Sequence, residues 1–416
     1  MSAAARLNVL CGHLNLQSAS SSSTLQHEPC STSRAAPASP PAPGCCSPVL
    51  IGGMVMDLQA RPAGPSDVHR GGSVPGSVVQ SAGGVARNVA EALALLLTSA
   101  AGAAGSSGSS TASPPAALPL LVSAVGDDLA GSALLRHWQE LGLSTACIAQ
   151  LHGGATPTVA AVFDMAGELA ACVADVSLLE EQLTPQLLRS PPVAAALAAA
   201  PIVMLDGNLS PEALQEACRQ AAAAGVPVWF EPVSAPKSVR AAALLHRISF
   251  VSPNRQELAA MAAALASSSA GAEPGAQVEG SLRSMLPDIA AVLGAGVQHV
   301  VLTLGPGGAA LCRLEGDGRA VAVCHMPALP AAVLSCSGAG DCLVAGCLFA
   351  LARGLPAEAA LAHGIAASKA AVESVSNVPP SLSASVVMRD AAALLTKQAT
   401  RLRLPLPSHC CNDCAC

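Results

Sequence analysis

The chain has 416 residues, of which 51% are hydrophobic and only 12% are charged. This length suits a large α/β domain with appendages, and the apolar content excludes a fully disordered chain. The net charge of −6 argues against binding to nucleic-acid backbones, which needs a basic surface. Four Phe, two Trp and no Tyr also leave too few rings to stack single-stranded bases. No apolar run reaches ~18 uninterrupted residues, so no membrane span is predicted. Composition therefore favours a small-molecule partner over nucleic acid or membrane.

Low-complexity segments divide the chain. A leader of Ser, Ala, Pro and Cys covers residues 1–47, and similar stretches at 100–115 and 267–276 are typical of surface insertions. A Cys-rich tail covers 396–416. One large domain is predicted over residues 48–395.

The 16 cysteines do not have the spacing of a disulfide scaffold. Six of them lie singly inside apolar segments, as small buried side chains do: Cys147, Cys172, Cys218, Cys312, Cys324 and Cys347. No secretory signal with a cleavage site is visible, so a reducing compartment is favoured. Four more cysteines end the tail, where a soft-metal site is the alternative to the favoured frayed terminus: Cys410, Cys411, Cys414 and Cys416.

Strands and helices alternate along the domain, which predicts a doubly wound, mostly parallel sheet flanked by helices. The predicted strands are 48–56, 118–125, 201–205, 226–231, 250–251 and 299–304. The predicted helices are 84–97, 130–141, 211–224, one starting at 255, 338–352 and 357–375. A hairpin of 158–163 and 169–174 interrupts the alternation and predicts a small separate sheet or lid.

The segment Ser335–Asp341 carries the clearest chemistry, because its small residues precede an apolar helix. Small residues let a ligand approach the backbone, and the N–H groups and dipole of the helix start can hold an anion. Asp341, in the first turn, is expected to be kept ionised by the same field. It would then suit a general base beside developing phosphoryl charge. The alternative is a glycine-rich turn followed by an ordinary helical aspartate.

Three further segments have polar groups at strand ends or helix starts. The sequence GGVARN, residues 83–88, opens a helix with Asn88 one turn in. Asn254 and Glu257 share a helix face, where they could meet a phosphate or hydrated Mg²⁺. The sequence TLGPGG, residues 303–308, follows a buried strand, so its N–H groups could hold nucleotide phosphates. A plain turn or a capped helix start is the alternative for each.

The order and spacing of these segments resemble the PfkB (ribokinase-like) family of sugar and nucleoside kinases. GAGD at 338–341 is similar to its C-terminal signature and GGVARN to its N-terminal one. Asn254 and Glu257 match its NxxE motif, and TLGPGG matches its nucleotide loop. The resemblance covers about residues 48–395 and implies a ribokinase-like fold with a small β-sheet lid.

Within the family, GGVARNVAE is most similar to the pseudouridine kinase group. The segments at 173–176 and 230–234 are also similar to that group. This resemblance implies ATP-dependent phosphorylation of a nucleoside 5′-hydroxyl in the breakdown of a modified nucleoside. Two alternatives stay open: a kinase for another sugar or nucleoside, and a non-catalytic binding protein that kept the fold.

The resemblance also implies a role for each matching residue. Asp341 would take the hydroxyl proton, while the N–H groups of Gly338, Ala339 and Gly340 would stabilise the transferring phosphoryl group. Substrate contacts would come from Asp57, Gly84, Asn88 and Thr158. ATP contacts would come from Asn254, Thr303, Gly305, Gly308 and His363, with packing as the alternative for His363. Glu257 would organise Mg²⁺.

One departure from the family pattern stands beside the catalytic motif. Ser335 and Cys336 occupy positions where the family usually has Asp or Asn and then Thr. Because that acidic residue helps hold a monovalent cation in many members, Ser335 leaves potassium activation open. It is the one feature that favours a non-catalytic protein, and the intact Gly340 and Asp341 oppose that alternative.

The leader contains Arg6-Leu7, then five residues, then His13-Leu14, which resembles an N-terminal peroxisomal targeting signal. In a helix these residues and Leu10 would share one face that a receptor groove can bind. The sequence therefore predicts a peroxisomal protein, with a chance match (a cytoplasmic protein) or a transit peptide for another organelle as alternatives. An import receptor is therefore one candidate protein partner. A second copy of the chain is the other, since members of the family that the chain resembles often dimerise through the lid.

Overall fold

The computed structural model describes residues 47–406, apart from 64–67, 70, 106–116, 167–168, 269–281, 317 and 398. The targeting motif and the tail cysteines lie outside the described residues, so their predicted roles stay predictions.

A ten-stranded sheet forms the centre of the domain. From one edge to the other its strands are β14 (Thr400–Pro405), β13 (Ala320–Met326), β12 (Ala309–Leu314), β11 (His299–Thr303), β10 (Phe250–Val251), β9 (Val228–Glu231), β8 (Val203–Asp206), β1 (Val49–Ile51), β4 (Leu120–Gly126) and β5 (Ile148–Leu151). Neighbours from β11 to β5 pair in parallel, whereas β11 to β14 pair antiparallel. The predicted mostly parallel sheet is confirmed.

Helices cover both faces of this sheet. They are α1 (Val85–Gly105), α2 (Leu129–Glu140), α3 (Ser177–Gln182), α4 (Pro185–Leu188), α5 (Pro191–Ala199), α6 (Pro211–Ala224), α7 (Ala235–Ser238), α8 (Arg255–Ser268), α9 (Leu286–Gly294), α10 (Ala339–Ala352), α11 (Ala357–Val372) and α12 (Ala384–Lys397), with 3-10 turns at Val239–Arg247 and Gly305–Gly307. Leu50 packs in one core with α1, α2 and α10 to α12. Val49 and Ile51 point to the other core, with α3 to α6, α8 and α9. This alternation along a strand buried on both faces produces three layers.

A second sheet of four strands forms the predicted lid. Its order is β3 (Gly76–Gly83), β2 (Val55–Pro62), β6 (Thr158–Phe163) and β7 (Leu169–Asp175). The predicted hairpin is confirmed as the antiparallel pair of β6 and β7. Cys172 on β7 is exposed, so its predicted burial is wrong, because β7 is the edge strand of a sheet that faces solvent. The other five cysteines of that set are buried.

The predicted strand 48–56 is instead two strands in different sheets, separated by Gly52–Met54. A Cβ atom on Gly52 would collide with the carboxyl group of Asp206, so only glycine allows this close approach. The Gly53 N–H donates to Asp206 Oδ2 at 2.8 Å. The chain changes direction at this contact and enters the lid.

The predicted domain boundary at 395 is wrong, because β14 pairs with β13 and completes the large sheet. The predicted insertion at 100 also starts too early, since α1 continues to Gly105. β14 is held by its pairing with β13 and by the buried Leu404 side chain. None of the helices in the described part of the chain has the length and hydropathy of a membrane span.

The pairing of β14 makes a stability prediction. The Leu404 side chain is 2% exposed and packs in the second core, whereas Leu402 on the same strand is 40% exposed. We expect Leu404→Ala to lower the free energy of unfolding by about 2–4 kcal/mol, through lost burial and the cavity left behind. Chemical denaturation measures this change. Leu402→Ala is the matched control and should change stability little; equal effects would contradict the assignment of β14 to the folded domain.

Candidate active site

The first turns of α1 and α10 meet at the ends of the parallel strands. Asn88 on α1 donates from Nδ2 to Oδ2 of Asp341 on α10 at 2.6 Å, although 253 positions separate them. The carboxyl ends of parallel strands are where α/β proteins bind ligands. The structure therefore brings the N-terminal and C-terminal motifs into direct contact.

Gly338 stands at the start of α10 in a left-handed conformation, with φ of +75°. A Cβ atom there would collide with the backbone carbonyl of Asn377. In the described structure no side chain caps α10, so the N–H groups of its first turn have no side-chain acceptor. The Ala339 N–H donates to the Cys336 carbonyl at the long distance of 3.4 Å. Gly338, Ala339 and Gly340 thus form a helix start without a side-chain cap, as the anion-site prediction needs.

Asp341 lies in a protected and strongly charged place. Burial raises the pKa of this carboxyl to about 6, while the Asn88 hydrogen bond and the nearby Arg87 guanidinium lower it. The charges of Asp206 and Asp57 raise it further. The expectation that the helix start keeps Asp341 ionised stays a prediction, and burial acts against ionisation. A pKa close to neutral suits a group that accepts and releases a proton near pH 7.

Asp57 reaches the same neighbourhood from β2 in the lid. Its Oδ2 accepts a hydrogen bond from Nδ2 of Asn377 at 3.0 Å. Burial raises the pKa of Asp57, and Asn377 and Arg87 lower it. Gly83, the last residue of β3, has no room for a Cβ atom against this carboxyl. Of the predicted substrate residues, Asp57 and Asn88 therefore lie beside Asp341.

The start of α1 is fixed by a carboxylate that sequence reasoning missed. Asp206, at the end of β8, is fully buried and accepts from the N–H groups of Gly53 and Ala86 at 2.8 and 3.3 Å. Gly84 adopts φ of +93°, and a Cβ atom there would collide with the Gly53 carbonyl. The only sequence signal for Asp206 is an acidic residue at a strand end.

Thr158 lies on β6, in register with Met56 of the neighbouring lid strand. Its Oγ1 donates to the Thr156 carbonyl at 2.9 Å. The structure therefore places Thr158 one strand from Asp57, while its contact with substrate stays a prediction.

Asn254 and Glu257 form a reciprocal capping box at the start of α8. Asn254 Oδ1 accepts from the Glu257 N–H at 3.0 Å, and Glu257 Oε2 accepts from the Asn254 N–H at 2.8 Å. The Glu257 side chain is buried, which raises its pKa. The capped helix start, left open as the alternative, is therefore present.

A second acid, Glu231, ends β9 and accepts a hydrogen bond from Ser252. It lies in the segment 230–234 noted in the sequence, where it was given no role. Burial raises its pKa well above the ordinary value, and the charges of Glu257 and Asp341 raise it further. Ser252 lies two positions before Asn254, so this hydrogen bond places Glu231 beside the NxxE motif.

The loop after β11 lies beside Asn254. Thr303 donates to the Pro253 carbonyl from N at 3.0 Å and from Oγ1 at 3.4 Å, and it pairs with Asn254. Gly305 and Gly308 have φ of +55° and +86°. The predicted nucleotide loop and the NxxE motif are therefore neighbours.

His363 lies in the interior of α11. Its Nδ1 donates to the Ala359 carbonyl at 2.7 Å, and its ring packs against Phe349 with centroids 6.2 Å apart. These contacts favour the packing alternative, and a role beside ATP stays a prediction. Ser335 Oγ accepts from the Ser337 N–H at 3.1 Å, which orders the loop before α10.

Comparison with known proteins follows this geometry. Residues 47–383 match the model of the pfkB family carbohydrate kinases. A pseudouridine kinase of Arabidopsis thaliana is 34% identical over 385 residues, covering 83% of this chain and 95% of the relative. A pseudouridine kinase of Escherichia coli K12 is 28% identical over 310 residues, covering 74% and 84%.

Solved structures have the same fold. Arabidopsis thaliana ribokinase complexed with ribose and ATP aligns with a TM-score of 0.64 at 19% identity, covering 84% of this chain and 99% of that one. A carbohydrate kinase from Agrobacterium tumefaciens aligns with a TM-score of 0.63 at 23% identity, covering 86% and 99%. These likenesses confirm the ribokinase-like fold. The match over residues 47–383 and the relative of 34% identity show that the chain belongs to the PfkB family of carbohydrate kinases and is a kinase of the sugar or nucleoside type.

Proposed function

We propose that this kinase phosphorylates the 5′-hydroxyl of pseudouridine with ATP and forms pseudouridine 5′-phosphate. The observation that carries the proposal is the hydrogen bond between Asn88 and Asp341, which joins a substrate motif to a candidate base. The choice of nucleoside is supported by the two relatives named pseudouridine kinase and by the GGVARN sequence. The product would then enter the breakdown of a modified nucleoside.

In this proposal Asp341 accepts the proton of the 5′-hydroxyl as its oxygen attacks the γ-phosphorus of ATP. The bond from that phosphorus to the β–γ bridging oxygen breaks, and ADP leaves. The N–H groups of Gly338, Ala339 and Gly340, which no side chain caps, stabilise the charge that develops on the transferring group. Since phosphoryl transfer needs little covalent participation by the protein, position and electrostatics supply most of the rate.

Asp57 and Asn88 would hold the ribose hydroxyls beside Asp341, and Thr158 on the lid would close over it. Asp57 and Thr158 lie on the paired lid strands β2 and β6, so a movement of the lid would move both together. Closure would exclude water, which suppresses wasteful hydrolysis of ATP.

ATP would lie along Asn254, Thr303, Gly305 and Gly308. This placement is supported by the contact between the two motifs and by the ribokinase neighbour solved with ATP.

Mg²⁺ fits the carboxylate oxygens of this region. Magnesium prefers oxygen ligands and keeps several waters, so it needs only one or two protein carboxylates besides substrate phosphates. Glu257, and the neighbouring Glu231, are the candidates that would hold it. No cluster of three acidic, His or Cys side chains suited to a metal occurs among the described residues. We therefore expect Mg²⁺ to arrive with ATP, where it neutralises phosphate charge.

A panel of substrates with product identification tests the proposal. Purified protein with ATP and Mg²⁺ should convert pseudouridine to its 5′-phosphate faster than it converts uridine, adenosine, ribose or fructose. Asp341→Asn should lower kcat by about 10²–10⁴-fold, because it removes the base and preserves shape. Pseudouridine binding, measured by calorimetry, should remain. Robust turnover of ribose or adenosine alone would contradict the substrate, and absence of any turnover would favour the binding-protein alternative.

The raised pKa of Asp341 predicts a pH profile. A base must be ionised, so kcat should fall as the pH drops through about 6, the pKa that burial gives this carboxyl. An exposed aspartate would keep its activity down to about pH 4. Asn88→Ala removes a hydrogen bond that favours the ionised form, so it should move this limb of the profile to higher pH. The profile is measured at saturating ATP and nucleoside; constant kcat down to pH 4.5 would contradict the assignment of Asp341 as base.

The close approach of the Gly338 backbone to Asn377 predicts that adding one methyl group at Gly338 lowers kcat strongly. Gly338→Ala should lower kcat at least tenfold, because the new Cβ atom displaces either the helix start or the Asn377 carbonyl. Gly354→Ala is the matched control. Gly354 has nearly the same φ, +74°, but open space around it. It should cost about 1 kcal/mol of stability and leave kcat unchanged. Equal kinetic effects of the two variants would contradict the role of the Gly338 close approach.

A further inference from the structure

A buried ion pair lies directly behind Asn88 on α1. The Arg87 side chain is 2% exposed and its Nη1 donates to Glu91 Oε2 at 2.5 Å, with the Glu91 side chain 8% exposed. Burial lowers the pKa of Arg87, and the charge of Glu91 opposes that shift. Taking both charges out of water is costly, so a buried pair is weak evidence of stabilisation by itself.

The remaining donors of this guanidinium converge on one atom. Arg87 Nε donates to Asn88 Oδ1 at 3.1 Å, and Nη2 donates to the same oxygen. The amide of Asn88 has an acceptor end and a donor end. With its oxygen held by two donors, its nitrogen is directed at Asp341 Oδ2. A flipped amide would place its oxygen against that carboxylate, which is repulsive.

A second helix holds Glu91 in place. His137 of α2 lies with Nε2 2.9 Å from Glu91 Oε2. The chain of contacts therefore runs from His137 on α2 through Glu91, Arg87 and Asn88 to Asp341.

We propose that Arg87 is a positioning residue for phosphoryl transfer: its planar fork fixes the Asn88 amide so that the amide N–H₂ faces Asp341. The Glu91 carboxylate holds the Arg87 guanidinium in the plane that lets it donate to the Asn88 oxygen. The role depends on shape as well as charge, because the single ammonium group of a lysine lacks the planar set of donors that bonds Glu91 and Asn88 together. The inference rests on the proposed role of Asp341 as base, and it does not depend on which sugar or nucleoside is the substrate.

A purely structural ion pair predicts different behaviour. In that case the pair would only neutralise charge between packed helices, and a lysine at position 87 would serve as well. Loss of the pair would then reduce stability, without a change in turnover that depends on Asn88.

Arg87→Lys separates the two cases. We expect its kcat to fall about tenfold, as when one charge-assisted hydrogen bond is lost, with KM for ATP within about twofold of the unchanged protein. Arg219→Lys is the control for replacing a guanidinium in a helical ion pair away from the site, because Arg219 pairs with Glu216 on α6 at 2.6 Å in a more exposed position. That variant should keep kcat. Thermal unfolding of both variants shows whether they are folded. Unchanged kcat in Arg87→Lys overturns the proposal.

A double-mutant cycle tests whether Arg87 acts through Asn88. In an Asn88→Ala background, Arg87→Lys should cause no further loss of kcat beyond about twofold. The same loss in both backgrounds overturns the proposal. If Arg87→Lys does not fold, Glu91→Gln keeps the guanidinium but weakens its anchor. Its loss of kcat should likewise vanish when Asn88 is absent, and persistence overturns the proposal.

The cycle is measured on whichever substrate the panel identifies. A substrate other than pseudouridine then refutes the proposed nucleoside and leaves the test of Arg87 intact. If Asp341→Asn retains turnover, the proposed base fails, and that result is separate from the outcome of the Arg87 cycle.

Discussion

The site depends on one contact between two helix starts, the hydrogen bond from Asn88 to Asp341. It exists because α1 and α10 pack in the same core on one face of the large sheet. The backbone at Gly338 then sets where α10 begins. The side chains at this contact balance two opposing effects: burial favours a neutral Asp341, while Asn88 and Arg87 favour an ionised one. The balance leaves the pKa close to neutral, which is the range in which a carboxylate can take a proton and give it back.

The region around Asp341 has more carboxyl groups than is expected of a site that binds negatively charged phosphates. Burial raises the pKa of Asp57, Asp206 and Glu231 as well as that of Asp341. Asp206 is needed by the backbone, because it holds the N–H groups at the start of α1. The Arg87 guanidinium, which lies behind the base, is committed to Glu91 and Asn88. In the proposed mechanism, the charge of ATP would therefore be neutralised by helix N–H groups and by the Mg²⁺ expected to accompany the nucleotide.

Local signals in the sequence predicted much of the fold, and long-range contacts account for what they missed. Helix α6 has the predicted bounds, since Ser210 caps its start and Gly225, in a left-handed conformation, ends it. The break in the predicted strand 48–56 depends on Asp206, which lies about 150 positions away and leaves no local mark. The sequence motifs likewise predicted Asp341 and Asn88 as site residues. Asn377 could not be found, because it acts through contacts that only the folded chain creates.

The NxxE motif shows why structural and functional explanations of a motif need not compete. Asn254 and Glu257 cap α8 reciprocally, so the plain alternative is present in the structure. The capping bond uses Oε2 of Glu257, and it orders the carboxyl group that is proposed to meet Mg²⁺. A mobile glutamate would lose rotamer entropy on meeting the ion, whereas a capped one has already lost it. The capping box would therefore order the proposed Mg²⁺ site in advance. Gly338 has a similar double role, because its close approach to Asn377 fixes the backbone that is proposed to hold the anion.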